Sequence, residues 1–264
     1  MLPIDAILAE LKTALEQHST ALLQAPPGAG KTTRVPLALL DAPWRKGRKI
    51  LMLEPRRLAA RSAARFMAQQ LGEKAGQSIG YRTKLDSQIS ASTQIEVVTE
   101  GILTRMIQND PMLEDYAAVL FDEFHERSLH ADLGLALVRE SQQALRDDLR
   151  ILVMSATLDS APIARILGDV PVISSAGRAF PVDVIYRPVQ LRNRQQTDAV
   201  VAVIYEALAE QSGSLLVFLP GAAEIRRVEN QLRGHLSEDV LLTPLYGNLK
   251  AEEQDRAISP AADG

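Results

Sequence analysis

The feature that most constrains this chain is a short apolar run, Ala21-Leu22-Leu23, that passes through Gln24-Ala25-Pro26-Pro27 into Gly28-Ala29-Gly30-Lys31-Thr32-Thr33. The pattern predicts a buried strand, a Gly/Pro turn and a helix opening at Lys-Thr-Thr, which fixes the turn at the carboxyl end of a strand in an α/β sheet. Glycines so placed let the backbone aim its N–H groups inward with no Cβ in the way, and with the helix N-terminus they cradle an anionic di- or triphosphate. Ala25, Pro26, Pro27, Gly28, Ala29 and Gly30 are therefore the candidate loop. Lys31 is placed to reach the β- and γ-phosphates, Thr32 to offer its hydroxyl to Mg²⁺, and Thr33 to continue the helix. Ala25 stands where the usual pattern begins with glycine, a difference of one methyl group. Taken alone, the stretch also fits a plain turn before an ordinary helix.

A second signal lies roughly ninety residues on. Val119-Leu120-Phe121 is an apolar strand pattern that ends in Asp122-Glu123-Phe124-His125-Glu126-Arg127. Two adjacent carboxylates at the end of a buried strand are costly unless a cation or a donor needs them. With a phosphate loop upstream, Asp122 fits the residue that holds Mg²⁺, and Glu123 the one beside it that orients and polarises an attacking water. His125 and Arg127 then stand where they can sense the γ-phosphate. A solvated acidic turn is the alternative.

Other strand patterns end in polar clusters of the same kind. Ile50-Leu51-Met52-Leu53 runs into Glu54-Pro55-Arg56-Arg57, after which Arg57, Arg61 and Arg65 recur at helical spacing. Open α/β sheets bind ligands beyond the carboxyl ends of their strands, which favours a phosphate-contacting face over a merely solvated one. Ile95 to Thr99 leads into Glu100-Gly101, where Thr99 and a turn at Gly101 can present a hydroxyl and amides; a plain helix N-cap explains Thr99 equally well. Ile151 to Met154 ends in Ser155-Ala156-Thr157, two hydroxyls that can bond to the carboxylate turn, with a helix cap by Asp159 or Ser160 as the alternative. Residues 4–17 have the spacing of an amphipathic helix, and Thr33 to Leu40 continues the helix of the phosphate loop, with Pro36 in its first turns.

Near residues 178–182 the pattern changes. Pro181 to Tyr186 and Ser214 to Leu219 read as strands, and Ala199 to Gln211, Ala222 to Leu236 and Glu252 to Ile258 as helices. No run of about 18 apolar residues is present, so no membrane span is expected, and no secretory leader is apparent at the N-terminus. Cysteine is absent, which removes disulfides and thiolate metal sites. The 29 basic residues are outnumbered by 33 acidic ones. The chain is thus no general electrostatic trap for nucleic acid, and any such contact must be local.

Taken in order, Gly28-Ala29-Gly30-Lys31-Thr32-Thr33, Pro55-Arg56-Arg57-Leu58-Ala59-Ala60, Thr99-Glu100-Gly101, Asp122-Glu123-Phe124-His125, Ser155-Ala156-Thr157, Phe218-Leu219-Pro220-Gly221 and Tyr246-Gly247 resemble the motifs of superfamily 2 helicases of the DEAH-box type. The resemblance implies an α/β fold. Residues 1–180 would form a RecA-like ATP-binding domain with a mostly parallel sheet, and 181–264 an incomplete second RecA-like domain. It further implies a cytoplasmic ATP-dependent helicase with ATP and Mg²⁺ as cofactors and single-stranded nucleic acid, RNA before DNA, as partner. Lys31, Asp122, Glu123 and His125 would be catalytic, with Thr32, Asp122 and Glu123 around the metal, and the loop residues from Ala25 to Thr33, Thr33 included, would bind the nucleotide. Arg56, Arg57, Thr99, Gly101 and Gly221 would contact nucleic acid, and Arg127, Ser155 and Thr157 would couple the two sites.

Phe124 replaces the alanine usual in that family's Asp-Glu-Ala-His box. Neither the family's Thr-Ser loop nor its Gln-x-x-Gly-Arg-x-Gly-Arg motif occurs before Gly264, which implies the N-terminal part of a longer protein. Two alternatives stay open on the sequence. One is a nucleotide-binding regulatory module without turnover; the other is a phosphotransferase using the same loop, which the Asp122 to His125 and Ser155 to Thr157 motifs argue against.

Overall fold

The structure, a computed structural model, describes residues 2–156, 161–177, 181–187 and 195–259. Two compact units emerge, Met1–Phe180 and Pro181–Gly264.

The first unit is built on a sheet of eight strands. In chain order they are β1 (Thr20–Gln24), β2 (Lys49–Glu54), β3 (Ile79–Arg82), β4 (Ser87–Gln88), β5 (Ile95–Thr99), β6 (Tyr116–Phe121), β7 (Arg150–Ser155) and β8 (Val172–Ser174). Their spatial order is β4-β3-β5-β2-β6-β7-β1-β8. All pairings are parallel except the antiparallel contact of two-residue β4 with β3. The central strands read as near-continuous apolar runs because helices cover both faces, as parallel sheets require. The helices are α1 (Leu8–Gln17), α2 (Lys31–Ala38), α3 (Arg57–Gln70), α4 (Glu100–Asn109), α5 (Leu129–Ala144) and α6 (Ala161–Leu167).

Alternation along each strand divides the core in two. Leu23, Met52, Leu120 and Met154 pack with Leu11, Leu15, Val35 and Met67 on one side. Leu22, Leu53, Phe121 and Val153 pack with Leu103, Leu135 and Val138 on the other. Burying each such side chain contributes about 1.5–3 kcal/mol, so the sheet is a stiff platform whose carboxyl-end loops share one edge. Pairing of β1 with β7, β7 with β6, and β6 with β2 sets the loops after Gln24, Ser155, Phe121 and Glu54 side by side.

Two local expectations are corrected and one is met. The expected first helix begins as a 3-10 turn, Pro3–Ile7, before α1. Pro36 lies in the second turn of α2, within its first turns as expected; with no N–H to donate, it lets the helix tighten, and Leu39 N–H is shared between the Val35 and Pro36 carbonyls at 3.2 Å. Gly101 sits in the first turn of α4 rather than in a tight turn.

In the second unit, α7 (Gln195–Glu210) packs on α8 (Ala222–Leu232) around Ile204, Val228 and Leu232, and α9 (Ala251–Ile258) follows. The strands expected over 181–186 and 214–219 do not form among the described residues. Their apolar side chains are instead open to solvent, with Phe218 87% exposed. An alternating run such as 181–186, or an apolar run such as 214–219 expected to be buried, makes a strand only where a neighbour completes the ladder, and among the described residues none is paired there. Among the described residues no helix is long and apolar enough to cross a membrane.

Candidate nucleotide site

The phosphate loop follows β1 directly. Gly28 and Gly30 take left-handed backbone at φ 76° and 95°. Gly30 is doubly required, since a Cβ there would come within 2.7 Å of Leu2 Cδ1. Among the described residues the N–H groups of Gly28, Gly30, Lys31 and Thr32 donate to no protein acceptor. They are the orphan donors of a helix start, gathered where an anion would satisfy them. Ala25 differs: it is fully buried and its N–H donates to the Ser155 carbonyl at 3.0 Å, so it closes the strand rather than facing a ligand. Pro26 is held from behind by Gly177, where a Cβ would fall 1.9 Å from Pro26 Cγ.

The carboxylate turn meets this loop across β7. Lys31 Nζ donates to Glu123 Oε1 at 2.7 Å, and Thr32 Oγ1 donates to Asp122 Oδ2 at 2.5 Å. Asp122 Oδ1 accepts the Glu123 N–H at 2.8 Å. Lys31 is only 4% exposed, so its ammonium is a buried, paired cation and not the free point charge its motif suggests.

A third acid joins them. Glu54, at the end of β2, is 2% exposed and Oε1 has no hydrogen-bond partner among the described residues. Burial first, then the Asp122 charge and a hydrogen bond shared with it, push the Glu54 carboxyl up to about 9, so it holds a proton at neutral pH. Burial also raises Asp122, against the pull of Lys31 and the Thr32 hydroxyl. With Glu54 neutral, the two carboxylates of Asp122 and Glu123 still outnumber the one lysine, which favours a further cation. Among the described residues no group of three or more His, Asp or Glu is arranged to hold a metal by itself. A hydroxyl and one or two carboxylates, with phosphates and water completing an octahedron, are instead the donor set Mg²⁺ prefers.

His125 links the turn to the next loop. Its Nδ1 accepts the Ala156 N–H at 3.2 Å and lies 3.3 Å from Glu123 Oε2. An amide can only donate, so Nδ1 carries the lone pair and its approach to Glu123 is a contact without a shared proton. Glu123 and Arg127, at φ 49° and 54°, bracket the 3-10 turn Phe124–Glu126. Left-handed backbone at two non-glycine residues stores strain, roughly 1–3 kcal/mol each, and such strain concentrates at ligand sites. Phe124 anchors the start of the turn, buried edge-on against Phe121 at 6.1 Å between ring centroids.

Other expected residues are placed differently. Arg127 is not drawn to the phosphate loop: it donates to Asp132 on α5 at 3.0 Å and lines a cavity of about 610 Å³ with Phe124 and Ile163. The Arg stripe on α3 divides, with Arg57 and Arg65 exposed and Arg61 buried. Arg56 donates to Glu126 Oε1 at 3.0 Å. Thr99 is the N-cap residue of α4, but its hydroxyl makes no cap bond, and at Gly101 an added Cβ would meet open space. Ser155 is fully buried; Thr157, like Asp159 and Ser160, lies outside the described residues. Gly221 caps α8 in the second unit. Sequence reasoning singles out neither Glu54 nor Glu126, although the position of Glu54 at a strand's carboxyl end, before Pro55, is a usable signal.

A model of DEAD/DEAH box helicases matches residues 7–166. The chain is 52% identical over 263 residues to the ATP-dependent RNA helicase HrpB of Escherichia coli, covering 100% of this chain and 32% of that protein. It is 34% identical over 261 residues to an ATP-dependent RNA helicase HrpA homolog of Haemophilus influenzae, covering 98% of this chain and 20% of that one. A crystal structure of the E. coli DEAH/RHA helicase HrpB superposes with a TM-score of 0.91 at 51% identity, over 99% of this chain and 33% of the other, and shares the RecA-like fold. The chain spans a third or less of the length of these relatives.

Proposed function

The chain belongs to the DEAD/DEAH box helicase family, and from that premise we propose that it carries the Mg·ATP site of an ATP-dependent helicase that moves on single-stranded nucleic acid, with RNA as the polymer. The observation that carries this is the meeting of two motifs roughly ninety residues apart in sequence, Lys31 with Glu123 and Thr32 with Asp122.

Each residue's task follows from its place. The free N–H groups at Gly28, Gly30, Lys31 and Thr32 hold the phosphates, and Lys31 exchanges Glu123 for the β- and γ-oxygens. Thr32 and Asp122, with Glu123 beside them, would hold Mg²⁺, which supplies charge neutralisation at the transferring phosphoryl group when bound. Glu123, released from Lys31, accepts from the water that attacks, and His125, accepting from Ala156, ties the carboxylate turn to the loop after β7. Arg56, Arg57, Thr99 and Gly101 lie at neighbouring strand ends and contact the phosphodiester backbone, while Ser155 transmits changes between β7 and the phosphate loop. We assign residues 1–180 as the ATP-binding RecA-like domain and 181–264, with Gly221, as part of a second. RNA is favoured because the relatives are named RNA helicases.

The test is equilibrium binding of a labelled single-stranded oligoribonucleotide and of a non-hydrolysable ATP analogue to the same protein. Mg²⁺-dependent analogue binding together with preference for single over double strands supports the reading. Absence of nucleotide binding, or binding to duplex alone, overturns it.

A further inference from the structure

Both nucleic-acid loops assigned above are tied to one short segment that follows the carboxylate turn. Arg56, in the Pro-Arg-Arg loop after β2, donates to Glu126 Oε1 at 3.0 Å. Glu100, the first residue of α4 in the Thr-Glu-Gly motif after β5, accepts from Ser128 Oγ at 2.5 Å. Ser128 serves twice, since the same oxygen caps α5 by accepting the Ala131 N–H at 3.0 Å. Segment 126–128 thus holds two loops from two different strands, three to five residues after the acid that pairs with Lys31.

The segment is joined to the nucleotide side through the turn itself. Left-handed Glu123 and Arg127 stand at its two ends, and Phe124, its first residue, is pinned in the core. Glu123 and Arg127 flank one turn of three residues, so a rearrangement at Glu123 has a short path to Arg127 and its neighbours. This is the kind of element that two sites can bias in common.

We propose that Glu126 and Ser128 are positioning residues that couple the two sites, holding the Arg56 and Glu100 loops in a position set by the state of Glu123. The inference rests on the helicase reading above. Without ligands, Glu126 occupies Arg56, so an incoming phosphodiester must displace a carboxylate to reach that guanidinium. When a nucleotide takes Lys31 from Glu123, the turn is free to rearrange, and the hold on both loops changes with it. By linkage, nucleic acid then changes nucleotide affinity by the same factor.

The test measures binding of a labelled single-stranded oligouridine with and without a saturating non-hydrolysable ATP analogue and Mg²⁺. Wild type, Glu126→Ala and Ser128→Asp are compared. The aspartate keeps an N-cap for α5 while placing a carboxylate against Glu100. In wild type the two affinities are expected to differ by about fivefold or more, the lower end of typical coupling. Glu126→Ala should bind oligouridine about 1.5- to 5-fold more tightly without nucleotide, the range for losing one exposed competing ion pair. In both variants the nucleotide-dependent ratio should fall towards one, while analogue affinity alone and the unfolding midpoint stay near wild type. A merely structural role would move those last two and leave the ratio. An unchanged ratio in both variants, or a wild-type ratio of one, overturns the coupling proposal alone. Failure of wild type to bind oligouridine at all overturns the helicase reading and the coupling with it.

Discussion

Replacing Glu54 by glutamine should make the protein more stable at neutral pH, although it alters a buried residue of the nucleotide site. Glu54 has a folded-state pKa of about 9 against an ordinary 4.5, raised first by burial and then by Asp122. Below 4.5 the acid is protonated folded or unfolded and costs nothing. Between 4.5 and 9 folding must take up a proton, so stability drains as pH rises, at about 1.4 kcal/mol per pH unit, and levels off above 9. By pH 7 the loss from this one group amounts to about 3 kcal/mol, an upper figure because Glu54 and Asp122 titrate as a pair. Glutamine keeps the shape, cannot ionise and can still donate to Asp122. Urea unfolding of both proteins in chelator from pH 5 to 9 is the assay. The two stabilities should coincide near pH 5 and diverge steadily above it, with Glu54→Gln higher. Parallel curves would refute the placement of Glu54 as a protonated acid against Asp122.

Three more outcomes are expected from the same geometry. Arg56→Ala or Arg57→Ala should weaken single-strand binding and lower the log–log salt slope by about 0.7 for each phosphate no longer neutralised, with ATP affinity nearly unchanged; an unaltered slope in both would leave these arginines as surface. Gly177→Ala forces a methyl into the space of Pro26 and should cost about 1–3 kcal/mol, divided between the urea midpoint and nucleotide affinity, and no change in either would mean the loop is not braced from that side. A polypeptide of residues 1–264 contains no Gln-x-x-Gly-Arg motif, and an arginine finger is worth roughly 10³ to 10⁵ in turnover. Phosphate release by that polypeptide should therefore stay near background, and brisk release stimulated by single-stranded RNA would show that an arginine within these residues does the finger's work.

Much of the first unit is legible in the sequence because its strands are central and parallel. Such strands are uniform apolar runs, so Ala21 to Leu23, Ile50 to Leu53, Val119 to Phe121 and Ile151 to Met154 stand out, and each ends in the polar cluster that forms one edge of the sheet. The site's long-range pairings are legible only as chemistry: a lysine and a threonine after one strand require carboxylates from another. What the sequence hides is competition among neighbours. Nothing local says that Arg127 prefers Asp132 of α5, that Arg56 is taken by Glu126, or that Ala25 spends its N–H on Ser155. Glu54 is hidden because its proton depends first on its own burial and then on the charge of Asp122, which follows a strand far along the chain. Patterns at 181–186 and 214–219 mislead because an alternating or apolar run records a readiness to pair, and pairing needs a neighbour.

The central claim is that Lys31, Thr32, Asp122 and Glu123 form one Mg·ATP site. Calorimetric titration of wild type, Lys31→Ala and Glu123→Gln with a non-hydrolysable ATP analogue, with Mg²⁺ and with chelator, tests it most directly. Wild type should bind in a Mg²⁺-dependent way, Lys31→Ala should lose about 10- to 100-fold in affinity, the worth of a charged hydrogen bond, and Glu123→Gln should bind at least as well as wild type because its lysine is released. Equal affinity in wild type and Lys31→Ala, or binding indifferent to Mg²⁺, would contradict the site.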